Sequence, residues 1–364
     1  MKRIVIKIGT QVLTRADGTL DVTRMSSIVD QIEEVRRGGC EVILVSSGAV
    51  ACGRSLLAQA PSRRKGSGGR KLDAVEQRQL FSAVGQVRLI GIYSRMFGDW
   101  GTAVGQVLTT KESFSTRREY LNQRGCMEVM LQNGVIPIVN ENDTTSVTEL
   151  MFTDNDELSG LVASMMDADT LLILSGVDGL YAGSPKAKGA KVIEKVCPGD
   201  DISGYISTQK SGFGRGGMIS KCSIACKVAE EGIRVIVANG KRENIIGDIV
   251  AGREVVCTEF VPSTEGVSSV KKWIAHSAGF TKGTVAIDEN AEKALKGKGV
   301  VSLLPVGVTA VEGDFEEGDI IGILNSSGKE IAVGKSAYSA EEARKVIGRH
   351  DCRPLVHYDY LYLI

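Results

Sequence analysis

Along the first 240 residues, short runs of apolar and β-branched side chains alternate with longer stretches whose apolar positions recur every three or four residues. The first pattern predicts buried strands and the second amphipathic helices, and their alternation predicts parallel strands joined by crossover helices. Strands are predicted over 3–8, Glu41–Ser46, Thr102–Leu108, Val135–Val139, Thr170–Leu174 and Arg234–Ala238. Val22–Arg37 sets Met25, Ile28, Val29, Ile32 and Val35 on one helical face, and further helices are predicted over 73–98, 117–133, 155–166 and 217–231. One stretch departs from the alternation: residues 61–71 are rich in glycine and positive charge and offer nothing that could pack, so they predict a loop. A solvated loop and a lid or anion contact both remain open for it.

After Trp273 the texture changes to short strands cut by turns, as at Gly313-Asp314, Glu317-Gly318-Asp319 and Ser326-Ser327-Gly328-Lys329. This predicts a separate small β domain from about residue 275, which agrees with a length of 364 residues, beyond that of a typical single core.

Charge narrows the partners. Forty-four Lys and Arg balance forty-four Asp and Glu, which removes any global electrostatic argument for nucleic acid or an anionic membrane. Residues 275–364 hold ten basic against thirteen acidic residues, the wrong sign for a phosphate backbone. No run approaches the ~18 apolar residues of a membrane span, and a cytoplasmic enzyme is expected. The eight cysteines form no C-x-x-C pair and do not cluster with the three histidines, so neither a disulfide framework nor a protein-built metal site is predicted. Cys222 and Cys226, four apart on a predicted helix, read as small core-facing side chains.

In parallel sheets, ligands gather outside the carboxyl ends of the strands. Lys7 interrupts an apolar strand and is followed at once by Gly9-Thr10, where a glycine would let backbone amides approach an anion; a solvent-facing edge lysine reads equally well. The second strand ends in Ser46-Ser47-Gly48-Ala49, small residues that present amides and hydroxyls to a carboxylate or phosphate. The fourth runs into Asn140-Glu141-Asn142-Asp143, and Asp154-Asn155-Asp156 then opens a helix. Each cluster alone reads as turn and N-cap chemistry; together they suggest a polar substrate bearing an ammonium group.

The stretch Gly212-Phe213-Gly214-Arg215-Gly216-Gly217-Met218-Ile219-Ser220-Lys221 leads into a helix with a lysine in its first turns. It satisfies G-x-G-x-x-G literally, but no strand precedes it directly, and no P-loop motif occurs. A lysine on the first strand and a second one after a glycine loop suit phosphoryl transfer to an anion. A carboxylate acceptor is ionised at neutral pH and needs no general base, so its barrier is repulsion from the phosphate.

These residues, with Tyr120-Leu121-Asn122 and Lys272-Trp273-Ile274, resemble the glutamate 5-kinases of the amino-acid kinase fold along essentially the whole chain. The resemblance implies an α/β three-layer sandwich with a mainly parallel sheet over 1–258, a linker over 259–274 and a β-rich PUA-like domain over 275–364. It implies ATP-dependent phosphorylation of the glutamate γ-carboxylate with Mg²⁺, feedback inhibition by proline and a homo-oligomer. By the same carry-over, Lys7 and Lys221 contact the phosphates and Asp156 orients them. Ser47, Gly48, Asp143 and Asn155 hold glutamate, while Gly9, Ser175, Gly176, Arg215, Gly216, Gly217, Met218, Ile219 and Ser220 line the nucleotide. Acetylglutamate kinase, aspartokinase and, more distantly, uridylate kinase are rivals within the fold, and an RNA-binding protein is the rival from another class.

Three positions depart from the family pattern. Ser175 is followed by Gly176 where an aspartate is usual, Gly183-Ser184-Pro185 stands for Ala-Asp-Pro, and Arg215 replaces a threonine or serine. Two carboxylates lost and one cation gained predict a more positive nucleotide pocket.

Overall fold

A computed structural model describes residues 2–59, 72–114, 116–145, 152, 154–183, 190–202, 218–264, 269–276, 281–297 and 301–364. The chain divides into two compact units, the first made of Met1–Thr110 and Gln123–Gly266 and the second of Lys111–Asn122 and Val267–Ile364.

The first unit is built on strands β1 (Arg3–Ile8), β2 (Glu41–Ser46), β3 (Val104–Thr109), β4 (Ile136–Glu141), β5 (Thr170–Ser175), β6 (Lys195–Val196), β7 (Arg234–Asn239) and β8 (Cys257–Phe260). They form one sheet in the order β3-β4-β2-β1-β5-β7-β8-β6. From β3 to β7 every neighbouring pair is parallel; β8 turns antiparallel to β7, and β6 runs parallel to β8. The six strands predicted from the apolar runs coincide with β1 to β5 and β7 to within two residues at either end.

Alternation along β1 explains its central position. Ile4, Ile6 and Ile8 point into a core shared with helices Val22–Arg37, Ala74–Asp99 and Ile245–Val250. Val5 and Lys7 therefore face the opposite layer, where helix Asn155–Met165 packs over β1 and β5 and helix Met218–Glu230 packs beside it over β7. Three layers result, helices on both faces of the sheet, as predicted. The five-residue phase of Met25, Ile28, Val29, Ile32 and Val35 is buried as read from the sequence.

Helices Ala49–Gln59 and Ala74–Asp99 meet backbone to backbone. A Cβ added at Gly53 would fall 1.9 Å from the Phe81 carbonyl oxygen, and one at Gly85 would fall 1.8 Å from that of Ala49, so only glycine permits this crossing. An Asp73 N-cap with a reciprocal Glu76 contact starts the longer helix. The small residues after β2 predict the start of the shorter helix but not its extent, because its apolar positions are diluted by small residues.

The second unit holds β9 (Gly283–Ile287), β10 (Val308–Gly313), β11 (Ile320–Leu324), β12 (Glu330–Ser336) and β13 (Val356–Leu363) in the order β10-β9-β11-β12-β13. Its predicted glycine turns are real: Gly313, Gly318 and Gly328 have φ of 85°, 99° and 78°, a region costly for other residues. Its own core includes Val285, Phe315, Ile321, Ile323, Val356 and Leu361. Lys111–Asn122 clusters with this unit and not with β3, which it follows in the chain. There the Trp273 indole donates to the Phe114 carbonyl at 3.0 Å, Phe114 meets Tyr120 edge to face, and Arg117 lies over Trp273. Sequence order could not reveal a segment that packs with residues some 150 positions away.

Candidate active site

The carboxyl ends of β1, β2, β4, β5 and β7 lie along one edge of the sheet, with β1 in the middle. At or beyond the ends of β2 and β4 stand Ser47, Asn140, Asp143 and Asn155; at or beyond those of β5 and β7 stand Ser175, Gly176, Asp178 and Asn239. Lys7 projects between these two groups.

Its partner is Asp156. The Lys7 Nζ lies 2.5 Å from one Asp156 oxygen and the Lys221 Nζ lies 2.8 Å from the other. Asp156 is fully buried. Burial pushes its carboxyl up, but the two ammonium groups outweigh that and hold it below the usual carboxylate range. The carboxylate is thus ionised and fixes both lysines side by side, which decides between the readings left open for Lys7: it is buried and paired.

Two helix starts are locked together here. Asp154 caps helix Asn155–Met165 by accepting from the amides of Asp156 and Glu157, and its other oxygen accepts from the Ser220 hydroxyl at 2.6 Å in the first turn of helix Met218–Glu230. Burial, and then repulsion from Asp156, push the Asp154 carboxyl above its usual range. Met218, Ile219, Ser220 and Lys221 form that first turn, with Ile219 exposed. Two helix N-termini and two ammonium groups converge on one region, a strong setting for a polyanion.

On the other side, hydrogen bonds between neutral groups dominate. Asn155 Nδ2 donates to Ser47 Oγ at 2.8 Å and to Asn140 Oδ1 at 3.0 Å, and Asn140 Nδ2 donates to Gln86 Oε1 at 2.9 Å. Asp143 pairs with Arg78 at 3.3 Å and accepts from Ser82 Oγ at 3.4 Å. Gly48, at φ 107°, turns the chain from β2 into its helix.

Several expectations change. The Gly9 amide donates to the Leu174 carbonyl at 3.0 Å, so this glycine serves close strand approach instead of presenting its own N–H to an anion. A Cβ at Gly176 would fall 2.6 Å from the Gln11 amide oxygen, so Gln11 occupies the place of the usual aspartate's side chain. Asp178 accepts from the Tyr181 hydroxyl at 2.6 Å and from Asn239 at 3.0 Å, the former chiefly lowering its pKa. Arg215, Gly216 and Gly217, with the rest of the glycine loop, Ser184-Pro185 and the basic loop 61–71, lie outside the described residues. Arg78, Ser82 and Gln86 were missed; their spacing of four on one helix is a signal, but one that neighbouring polar residues drown. Cys222 is buried, which pushes its thiol up to about 12, and Cys226 is half-buried.

An α/β sheet with paired lysines at its central strand end defines a phosphotransferase of the amino-acid kinase type. The amino acid kinase family profile matches residues 2–239 and the PUA domain profile matches residues 283–357, and the chain belongs to the amino acid kinase family. It is 59% identical over 362 residues to the glutamate 5-kinase of Bacteroides thetaiotaomicron, covering 99% of this chain and 98% of the relative. It is 45% identical to the glutamate 5-kinase of Chlorobaculum tepidum, covering 100% and 98%. Within its family the chain therefore stands with the glutamate 5-kinases. Among solved structures, a carbamate kinase of Giardia lamblia bound to AMP-PNP shares the fold, with a TM-score of 0.53 at 15% identity over 72% of this chain and 99% of that one. Among the described residues no helix is long and apolar enough to cross a membrane.

Proposed function

We propose that the protein transfers the γ-phosphoryl group of ATP to the γ-carboxylate of L-glutamate, giving L-glutamyl 5-phosphate and ADP, the first step of proline biosynthesis. The carrying observation is the Lys7–Asp156–Lys221 bridge standing between an amide-rich side and the ends of β5 and β7.

In this reading a glutamate carboxylate oxygen attacks the γ-phosphorus while the bond to the β–γ bridging oxygen breaks. No proton moves, because the acceptor is already ionised. Lys7 and Lys221 neutralise the oxygens of the transferred group, and Asp156 keeps both lysines in place without leaving either charge unpaired. Ser47, Gly48, Asp143 and Asn155 hold glutamate. Gly9, Ser175, Gly176, Arg215, Gly216, Gly217 and the turn from Met218 to Ser220 line the nucleotide. The 59% and 45% identities to glutamate 5-kinases support glutamate over acetylglutamate as the acceptor.

Mg²⁺ would supply further charge neutralisation. Among the described residues no three acidic, histidine or cysteine side chains are arranged to hold a metal, and Asp156 is already doubly engaged, so the ion would be held mainly by the nucleotide phosphates. The family resemblance supports proline as a feedback inhibitor, a homo-oligomeric assembly and a cytoplasmic site of work. We assign catalysis to the first unit. RNA binding as the main activity is disfavoured by the net acidity of residues 275–364.

The test offers ATP and Mg²⁺ with glutamate, acetylglutamate and aspartate in turn and traps acyl phosphate with hydroxylamine. Hydroxamate from glutamate alone is the expected result; hydroxamate from another acid in its place refutes the assignment.

A further inference from the structure

Helix Ala74–Asp99 presents Arg78, Ser82 and Gln86 toward the amino-acid side, at positions four apart on one face. Gln86 is buried and touches none of the groups proposed to meet substrate. It reaches them through a chain of three hydrogen bonds, and the chain has a direction. Gln86 Oε1 accepts from Asn140, Asn140 Oδ1 accepts from Asn155, and the same Asn155 nitrogen also donates to Ser47 Oγ.

A side-chain amide has two N–H hydrogens and one oxygen. Both Asn155 hydrogens are used in this chain, which leaves Asn155 Oδ1 to act as an acceptor. Ser47 Oγ is itself an acceptor in the chain, so its hydroxyl hydrogen is what it can offer. The pocket thereby presents an acceptor at Asn155, suited to an ammonium group, and a donor at Ser47, suited to a carboxylate. Were residue 86 able only to donate, as a lysine is, Asn140 would turn over, Asn155 would follow, and Ser47 would have to spend its hydrogen on Asn155. The pocket would then present N–H groups where the ammonium belongs.

We propose that Gln86 is a positioning residue that, with its amide oxygen turned to Asn140, anchors the Asn140–Asn155–Ser47 chain and so matches the pocket to a free amino acid; the ligand's identity, though not the chain, rests on the glutamate reading above. This role ranks substitutions differently from packing. Gln86→Glu keeps an acceptor facing Asn140, Gln86→Met keeps the volume but removes the acceptor, and Gln86→Lys reverses the polarity.

The experiment measures KM for glutamate and for ATP, together with thermal midpoints, for the full chain and the three variants. Glutamate KM is expected to stay within about threefold for Gln86→Glu, and to rise about tenfold for Gln86→Met and about a hundredfold for Gln86→Lys. ATP KM should change by less than about twofold in each folded variant, since its groups lie beyond β5 and β7. If Gln86→Met matches the wild type while Gln86→Glu is impaired, or if both KM values rise together with a lower midpoint, Gln86 is only packing and the proposal is overturned. Should Gln86→Lys not fold, the order of Glu and Met decides alone. Wild type is run first: no hydroxamate from glutamate sinks the reaction assigned above, whereas the order of the variants in glutamate titration calorimetry decides the hydrogen-bond chain separately.

Discussion

The two sides of β1 hold their residues by different physics. Toward β5 and β7, order comes from charge: a buried carboxylate shared by two ammonium groups, with two helix starts pinned by Asp154. Toward β2 and β4, order comes from the direction of neutral hydrogen bonds running from Gln86 to Ser47, with one ion pair at Asp143. Charge is strong but tolerant of direction, which suits a phosphate that changes shape as it transfers. Directed amides are weaker and geometrically strict, which suits telling one small amino acid from another.

The largest expected effect comes from removing the shared carboxylate. Asp156→Ala leaves two ammonium groups close together in a buried place and should destabilise the fold by about 3–5 kcal/mol, measured by urea unfolding. An unchanged midpoint would mean that the lysines are solvated and not held by Asp156.

Next comes Lys221→Ala, which removes positive charge felt most in the transition state. Turnover should fall by about 10²–10³-fold while glutamate affinity, read by calorimetry, holds. Near-normal turnover would take Lys221 out of the phosphate side.

The mirror experiment is Asn155→Ala. Here glutamate KM should rise by about 10–100-fold with ATP KM little changed. If ATP binding weakened equally, the division between the two sides would collapse.

The smallest effect is a pH dependence. The Asp156 pKa is lowered in the folded protein, so in the acid range the unfolded chain binds a proton that the folded one does not, and stability rises with pH there. Its contribution is complete above the ordinary carboxylate value and is lost as pH falls through the lower folded one. Asp154, raised by burial and by Asp156, contributes a slope of the opposite sign, so the measurement is a difference between Asp154→Asn and the double variant Asp154→Asn/Asp156→Asn. Asp154→Asn should show the steeper rise, by up to about 1.4 kcal/mol per pH unit. Equal slopes would show that Asp156 does not titrate as argued.

Much of this was legible in the chain itself. The alternation of apolar runs with helical periods placed the parallel strands, since each strand buried on both faces must be apolar throughout and each covering helix must carry one apolar stripe. Lys7 could be noticed because it breaks such a run. Asp143 stood out in a polar cluster after a predicted strand, Asn155 and Asp156 in one opening a predicted helix, and Lys221 as a cation at another predicted helix start. Gly9 could be noticed too, though a glycine before a turn looks the same whether its own amide meets a ligand or, as here, a neighbouring strand.

Other features were decided only in three dimensions. Asp156 lies 149 residues from Lys7 and 65 from Lys221 in the chain, and nothing local says that one carboxylate serves both. Gln86 and Arg78 sit on a helix with polar residues on several faces, so their spacing acquires meaning only once Gly53 and Gly85 bring that helix into place. Lys111–Asn122 follows β3 directly yet packs with Trp273. Local pattern determines which element forms and which face is buried, because those depend on periodicity. Which charges meet, and which way an amide points, depends on groups brought together from distant parts of the chain, and only the tertiary structure decides it.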